Sequence, residues 1–252
     1  MTIGTTTVDD KEIEKFTAMA ADWWDPFGKF KPLHKFNPTR LGLIRDQLCQ
    51  HFGRDRQEKK PLEGLRLLDV GCGGGLVSEP MCRLGAEMVG IDAAETNVKV
   101  AAAHAAETGC AIDYRHTTVE DLVAANEPKF DAVLNLEVVE HVADVPLFLS
   151  ASASLAKPGG MIAVATINRT LKALMTAKIG AEYILRWLPA GTHDPRKFVK
   201  PSEVVSALSK AGLKIETEKG LTYLPLLDGW RTSDDLSVNY MIFASKPAAP
   251  TS

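Results

Sequence analysis

From Leu65 onward the chain alternates short apolar runs with longer segments whose apolar positions recur every three or four residues. Residues 65–71 (LRLLDVG), 88–92 (MVGID), 112–116 (IDYRH), 130–137 (FDAVLNLE) and 161–168 (MIAVATIN) predict five strands. Between them, residues 80–86, 97–109 and 145–160 have helical spacing, with Gly109 ending the second helix and Pro158 and Gly159 stopping the third. After a long interval, residues 201–212 are helical again, and 213–220 and 238–246 predict two late strands. Upstream, residues 1–10 read as a tail, and residues 12–24 place Ile13, Phe16, Met19, Ala20 and Trp23 at helical spacing. A proline-bearing connector, residues 25–38, then leads to a helix from Thr39 with Leu41, Ile44 and Leu48 on one face and Asn37 or Thr39 as its cap. Strands alternating with helices predict right-handed βαβ units, hence an α/β, Rossmann-like parallel sheet covered on both faces. The expected organisation is one domain: a helical arm (1–64), a core (65–168), an insert (169–200) and a C-terminal helix with strands (201–252).

Composition adds little to that picture but excludes several classes. A chain of 252 residues that is 45% hydrophobic buries a sizeable core, and a net charge of −3 gives no chain-wide field for gathering nucleic acid. Cys49, Cys72, Cys82 and Cys110 form no CxxC pair and no metal spacing, which predicts free thiols. The N-terminus has no basic segment followed by an apolar one, and no apolar run approaches the roughly 20 residues of a spanning helix, so a cytoplasmic protein is expected.

The strand at 65–71 runs into VGCGGGLVSE, a turn with four glycines in five residues. In an open α/β sheet, ligands bind at the carboxyl ends of the strands, where this turn falls. A dinucleotide fingerprint would need a third glycine where Leu76 stands, and no GK[ST] follows to make a phosphate loop. Asp92 ends the second strand, where a carboxylate can accept ribose hydroxyls, and Asp69 stands two residues before Gly71, where it would repel a pyrophosphate. Gly71 and Gly73 let a ligand lie against the main chain, and Glu120 with Asp121 after the third strand suit an adenine amino group. The alternative is a tight strand-to-helix turn with no ligand. The charges favour a cationic nucleoside without phosphates, the profile of S-adenosylmethionine.

Together, DVGCGGG, VGID, TTVEDL and LEVVEHV resemble the class I S-adenosylmethionine-dependent methyltransferases. FTAMAADWWD, FKPLHKFNPTRLGLI, GAEYILRWLPAGTHDPRKFVKPSE and VNYM are similar, more selectively, to the ubiquinone-biosynthesis O-methyltransferases, over nearly the whole chain. The resemblance implies a seven-stranded sheet with an antiparallel last strand, for which residues 238–246 are the candidate. It implies cofactor contacts at Arg40, Gly71, Asp92 and Leu136, and a polyprenyl catechol or quinol as methyl acceptor. Arg40 is suited to a bidentate pair with the methionine carboxylate, and Leu136 to covering the cofactor.

A phenol with a pKa near 10 is only about one part in a thousand ionised at pH 7, so a base or a cation must act. Glu137, Glu140 and His141 share one face if the end of the fourth strand turns helical, which offers them as Mg²⁺ ligands and Glu137 and His141 as catalytic groups. The same groups can instead cap and fix the loop. His193, beside Asp194 in the insert, is the other candidate base. Residues 169–200 also carry seven basic residues against Glu182 and Asp194, with apolar residues at helical spacing and Trp187 at their edge. That pattern fits a peripheral contact with the inner face of a membrane, or equally a lid packed on the protein itself. Two other functions stay open: methylation of another small acceptor, and a non-catalytic cofactor- or lipid-binding scaffold for a biosynthetic complex.

Overall fold

The computed structural model describes residues 7–175 and 197–248. The chain begins with α1 (Asp10–Thr17), which Asp9 caps through the Lys11 amide, and a single 3-10 turn at Ala20–Asp22. It continues through α2 (Lys31–His51), β1 (Arg66–Val70), α3 (Ser78–Arg83), β2 (Glu87–Asp92), α4 (Glu95–Thr108), β3 (Ile112–His116), α5 (Val119–Ala124), β4 (Phe130–Leu136), α6 (Val145–Leu155) and β5 (Ala156–Ile167). The short α7 (Leu171–Ala173), α8 (Pro201–Lys210), β6 (Lys214–Leu224), β7 (Gly229–Ser233) and β8 (Asn239–Ser245) complete it.

The strands form one eight-stranded sheet in the order β3-β2-β1-β4-β5-β8-β6-β7. β1 to β5 pair in parallel, whereas β8 runs antiparallel between β5 and β6. Residues 238–246 thus supply the antiparallel strand, as expected, but the sheet has eight strands and not seven. The eighth, β7, forms a hairpin with β6 through the turn Pro225–Leu227.

Alternate residues of each central strand go to opposite layers. Leu68, Val133, Ile162 and Ile242 pack with α5, α6 and α8, while Leu67, Leu134, Ala163 and Phe243 pack with α2 and α3. Each fully buried leucine or phenylalanine of these layers is worth about 1.5–3 kcal/mol of burial.

Two features of the arm depart from the sequence reading. The run 12–24 breaks after Thr17, because the two indoles that follow are anchored separately on the core. The supposed connector 25–38 is mostly helix, since α2 starts at Lys31 and runs through Pro38. Pro32 sits in the first turn, where its missing N–H costs nothing. Pro38 costs about 3 kcal/mol in an isolated helix, but burial of Phe36, Arg40, Ile44 and Leu48 on one side holds α2 together. The expected caps serve other ends: the Asn37 amide donates to the Leu76 carbonyl at 3.1 Å, and the Thr39 hydroxyl to the Trp230 carbonyl at 3.1 Å.

Candidate active site

At the carboxyl ends of β1, β2 and β4 lies a cavity of about 280 Å³. Its floor is the glycine turn, its sides are Asp92 and the Leu136–His141 segment, and its roof is α1 with Trp23. The glycines are there for close approach. Gly71 has φ 67° and a Cβ on it would come within 2.5 Å of Val138, while Gly73 has φ 53° and its Cβ would come within 2.5 Å of the Trp23 ring.

Asp92 stands where the sequence places it, but it has structural work as well. Its carboxylate accepts from the Gly73 amide at 2.9 Å, the Ala94 amide at 2.8 Å and the Asn97 side chain at 3.2 Å. A carboxylate has about four acceptor sites, so roughly one is left for a ribose hydroxyl. Burial raises its pKa against those donors.

Asp69 is buried at the end of β1 and accepts from the Ser78 hydroxyl at 2.6 Å. Burial pushes its carboxyl up to about 6, with the Ser78 hydrogen bond and the charge of Arg40 pulling the other way.

Arg40, only 3% exposed, reaches the cavity from α2. It donates to the Asn37 side-chain oxygen Oδ1 at 2.5 Å and stands 3.7 Å from the Glu137 carboxylate. Its Nε and the Glu137 Oε1 are buried with no hydrogen-bond partner. Burial lowers the pKa of Arg40 and raises that of Glu137, whose shift the neighbouring Glu140 reinforces. Glu137 also sits at φ 57°, an uncommon conformation for a residue with a side chain, so the end of β4 turns sharply into the cavity. Leu136, just before it, is buried in the cavity wall.

Three assignments change. The segment after β4 makes one 3-10 turn, Val139–His141, so Glu137, Glu140 and His141 do not share a helix face. Their side chains go to different partners: Glu137 to Arg40, Glu140 to the Thr166 hydroxyl at 2.7 Å, and His141 Nδ1 to the Glu12 carboxylate at 3.0 Å. Among the described residues no three His, Cys, Asp or Glu side chains gather to hold a metal ion, so the donor set does not fit Mg²⁺ as arranged.

Asp121 is also reassigned. It forms a capping box with Thr118 at the start of α5 and does not line the cavity, whereas Glu120 does. Glu120 accepts from the Thr7 hydroxyl at 2.6 Å. His193 and Asp194 lie outside the described residues, as do Trp187 and most of the basic insert.

The main residues the sequence reading missed are on the arm. Glu12 accepts from Lys197 Nζ at 2.9 Å as well as pairing with His141, and the hydrogen bonds from His141 and Lys197 lower its pKa. Phe16 meets the His141 ring edge-on at 5.1 Å. The Trp23 indole N–H donates to Asn97 at 3.0 Å and its ring stacks on Phe30 at 3.8 Å. The signal available was the WWD stretch, which carried the resemblance without saying what the tryptophans touch.

This arrangement can hold an uncharged nucleoside sugar at Asp92 and a zwitterionic group between Arg40 and the Asp69 and Glu137 carboxylates. Residues 68–164 match a methyltransferase domain family. The chain is similar to solved structures such as a magnesium protoporphyrin IX methyltransferase from Synechocystis with bound S-adenosylmethionine, at 20% identity and a TM-score of 0.64, over 96% of this chain and 99% of that one. That likeness concerns the fold. In sequence it is 59% identical to the ubiquinone biosynthesis O-methyltransferase of Brucella anthropi over 96% of this chain and 98% of that protein. It is 58% identical to the protein of the same name from Chelativorans sp., over 97% of this chain and 96% of that one. A cavity at the carboxyl edge of a methyltransferase sheet thus agrees with likeness along almost the full length, and the chain belongs to the ubiquinone biosynthesis O-methyltransferase family.

Proposed function

We propose that the protein methylates a phenolic oxygen of polyprenylated catechol and demethylubiquinol intermediates of ubiquinone biosynthesis, with S-adenosylmethionine as donor. The observation that carries this reading is Arg40: a buried guanidinium in the cavity wall whose Nε lacks a partner is matched by a carboxylate such as that of methionine. Beside it, Asp69 and Glu137 suit the amino group and the cationic sulfur, and Asp92 the ribose. Gly71 and Gly73 admit the ligand against the main chain, Leu136 covers it, and Glu120 takes the adenine amino group.

When bound, the cofactor supplies a sulfonium methyl that passes in line to the acceptor oxygen. What the chain must add is alignment, worth on the order of 7–11 kcal/mol, and a site for the phenolic proton. His141 is the candidate acceptor of that proton, since the Glu12 carboxylate holds its other edge and both line the cavity. Glu137, raised in pKa by burial, is the second candidate, and His193 the third.

The test is transfer of isotopically labelled methyl to a short-tailed synthetic catechol, with His141→Ala and His193→Ala compared. The variant that loses kcat without losing cofactor affinity identifies the base, and a wild-type protein that binds cofactor yet turns over no hydroxylated quinone precursor overturns the reading in favour of a scaffold. The same assay run with EDTA and then with added Mg²⁺ tests a metal requirement.

Contact with the membrane surface through residues 169–200 would bring the acceptor's isoprenoid tail to the site. Leu171 is 75% exposed at the start of that stretch, which supports this reading. Against it, Arg169, Lys172 and Lys197 already pair with Glu203, Asp235 and the Asp9–Glu12 carboxylates. Sedimentation with anionic vesicles, before and after deletion of residues 170–188, separates the two.

A further inference from the structure

Outside the cavity, on the far side of the glycine turn, a glutamate is fully buried where the reaction has no use for it. Glu79, in the first turn of α3, has 0% exposure. Burying a carboxylate is costly unless donors surround it. Here they do: His104 Nδ1 at 2.5 Å, the Thr108 hydroxyl at 2.9 Å and Arg83 at 3.1 Å. His104 and Thr108 both come from α4, so the carboxylate joins the helix that follows the glycine turn to the helix that follows Asp92.

The oriented imidazole then does something further. The Trp24 ring lies flat on it, with centroids 3.5 Å apart and planes 7° from parallel. The same indole donates its N–H to the Gly74 carbonyl at 2.8 Å, inside the glycine turn. Trp24 does not line the cavity, but its neighbour Trp23 does, and Trp23 packs so closely on the turn that a Cβ at Gly74 would fall 2.4 Å from its own Cβ.

We infer that Glu79 and His104 are positioning residues for the cofactor: through the stacked ring of Trp24 they dock the N-terminal arm on the glycine turn and so set Trp23 as a wall of the cofactor cavity. The inference rests on the reading that this cavity holds S-adenosylmethionine. Trp24 is the anchor and Trp23 the part that meets the ligand. His104 acts through its flat face and Glu79 by fixing the plane of that face.

The test uses the full chain and S-adenosylhomocysteine as the binding probe, read by calorimetry, with KM for S-adenosylmethionine and kcat measured on a short-tailed catechol. His104→Ala is expected to weaken binding and raise KM about tenfold while kcat stays within about twofold, since the ring stack and the arm's register are lost but no reacting group is. His104→Phe, which keeps a flat ring and cannot bond Glu79, should recover a large part of the affinity, and Trp24→Phe, which keeps the stack and loses the Gly74 contact, should weaken binding about threefold to tenfold. If His104→Ala fails to fold, the Trp24→Phe and His104→Phe pair carries the test. Unchanged affinity in Trp24→Phe, or a His104→Ala enzyme whose kcat falls at constant KM, overturns the inference. A wild-type protein that does not bind S-adenosylhomocysteine at all overturns instead the cofactor reading on which it rests.

Discussion

Arg40 combines two demands that a lysine cannot meet. It must neutralise a buried acidic patch formed by Asp69, Glu137 and Glu140, all of which oppose the lowering of its pKa, and it must still offer a directed N–H to a ligand carboxylate. Arg40→Lys is expected to keep the fold, because a cation remains, and to weaken S-adenosylhomocysteine binding about tenfold to a hundredfold through loss of the forked geometry. Arg40→Ala should be harsher and of a different kind. It leaves buried carboxylates without their counter-charge, at a cost of about 3–5 kcal/mol in unfolding free energy. Calorimetric titration of both variants beside urea denaturation distinguishes the two effects, and a lysine variant that binds like wild type would remove Arg40 from the ligand. Asp92 makes a comparable double contribution, so Asp92→Asn should lose both affinity and rigidity of the glycine turn, whose Gly73 amide it holds. Unchanged thermal stability in that variant would mean the hydrogen bonds to the turn carry no weight.

Among the elements, α5 offers the sharpest separation of structure from ligand contact, since Glu120 and Asp121 are neighbours with different tasks. Asp121 closes the capping box with Thr118 and does not line the cavity. Asp121→Ala is therefore expected to cost about 0.5–2 kcal/mol of stability and to leave cofactor affinity within about twofold, whereas Glu120→Ala should do the reverse. A chemical melt and a binding isotherm on each settle the division. The same pair shows what the sequence could convey. Period-two and period-3.6 patterns located the strands of the core, and IDYRH coincides with β3 (Ile112–His116) even though it is only half-buried. They failed where tertiary contacts set the boundary. Pro158 and Gly159 mark a helix end in the sequence, and α6 does end nearby at Leu155, yet β5 reaches back to Ala156, because the Lys246 amide donates to the Gly160 carbonyl at 2.8 Å and carries the ladder on. The short β7, with no alternating apolar pattern of its own, exists because it pairs with β6, and no local propensity announces such a strand. In the site, Asp69 and Asp92 were legible because the ends of β1 and β2 fix where they lie, whereas Arg40, on α2, and Leu136 came only with the resemblance. Glu12 and His141 were not read as partners, because 129 residues separate them and only the folded arm brings them together.

For the molecule as a whole, the first part of the arm, before α2, reaches over the cavity: Thr7 bonds Glu120, Glu12 bonds His141 and Lys197, and Trp23 bonds Asn97. The cavity is therefore a place where acidic groups are collected under a roof, and global stability should register their burial. Asp69 gives the cleanest measure, since its carboxyl is pushed up to about 6 by burial. In the unfolded chain an aspartate titrates near 3.9. Between about pH 4 and 6 the folded state binds more protons at this site than the unfolded one, so stability falls as pH rises through that window. The contribution is fully present below about pH 4 and lost above about pH 6, with an upper limit near 3 kcal/mol. Asp69→Asn removes the titration but keeps a hydrogen-bonding partner for Ser78. The difference in unfolding free energy, wild type minus Asp69→Asn, is expected to decline from pH 4 to 6 and then to level off in urea titrations. Other groups contribute to both curves and cancel in the difference as long as they do not couple to Asp69. A difference that is flat across the window would mean that Asp69 is ionised throughout. Repeating the series with saturating S-adenosylhomocysteine adds the ligand's side of the argument. Its ammonium favours the ionised carboxylate, so the decline should move to lower pH, and a window that stays in place would separate Asp69 from the amino group it is proposed to meet.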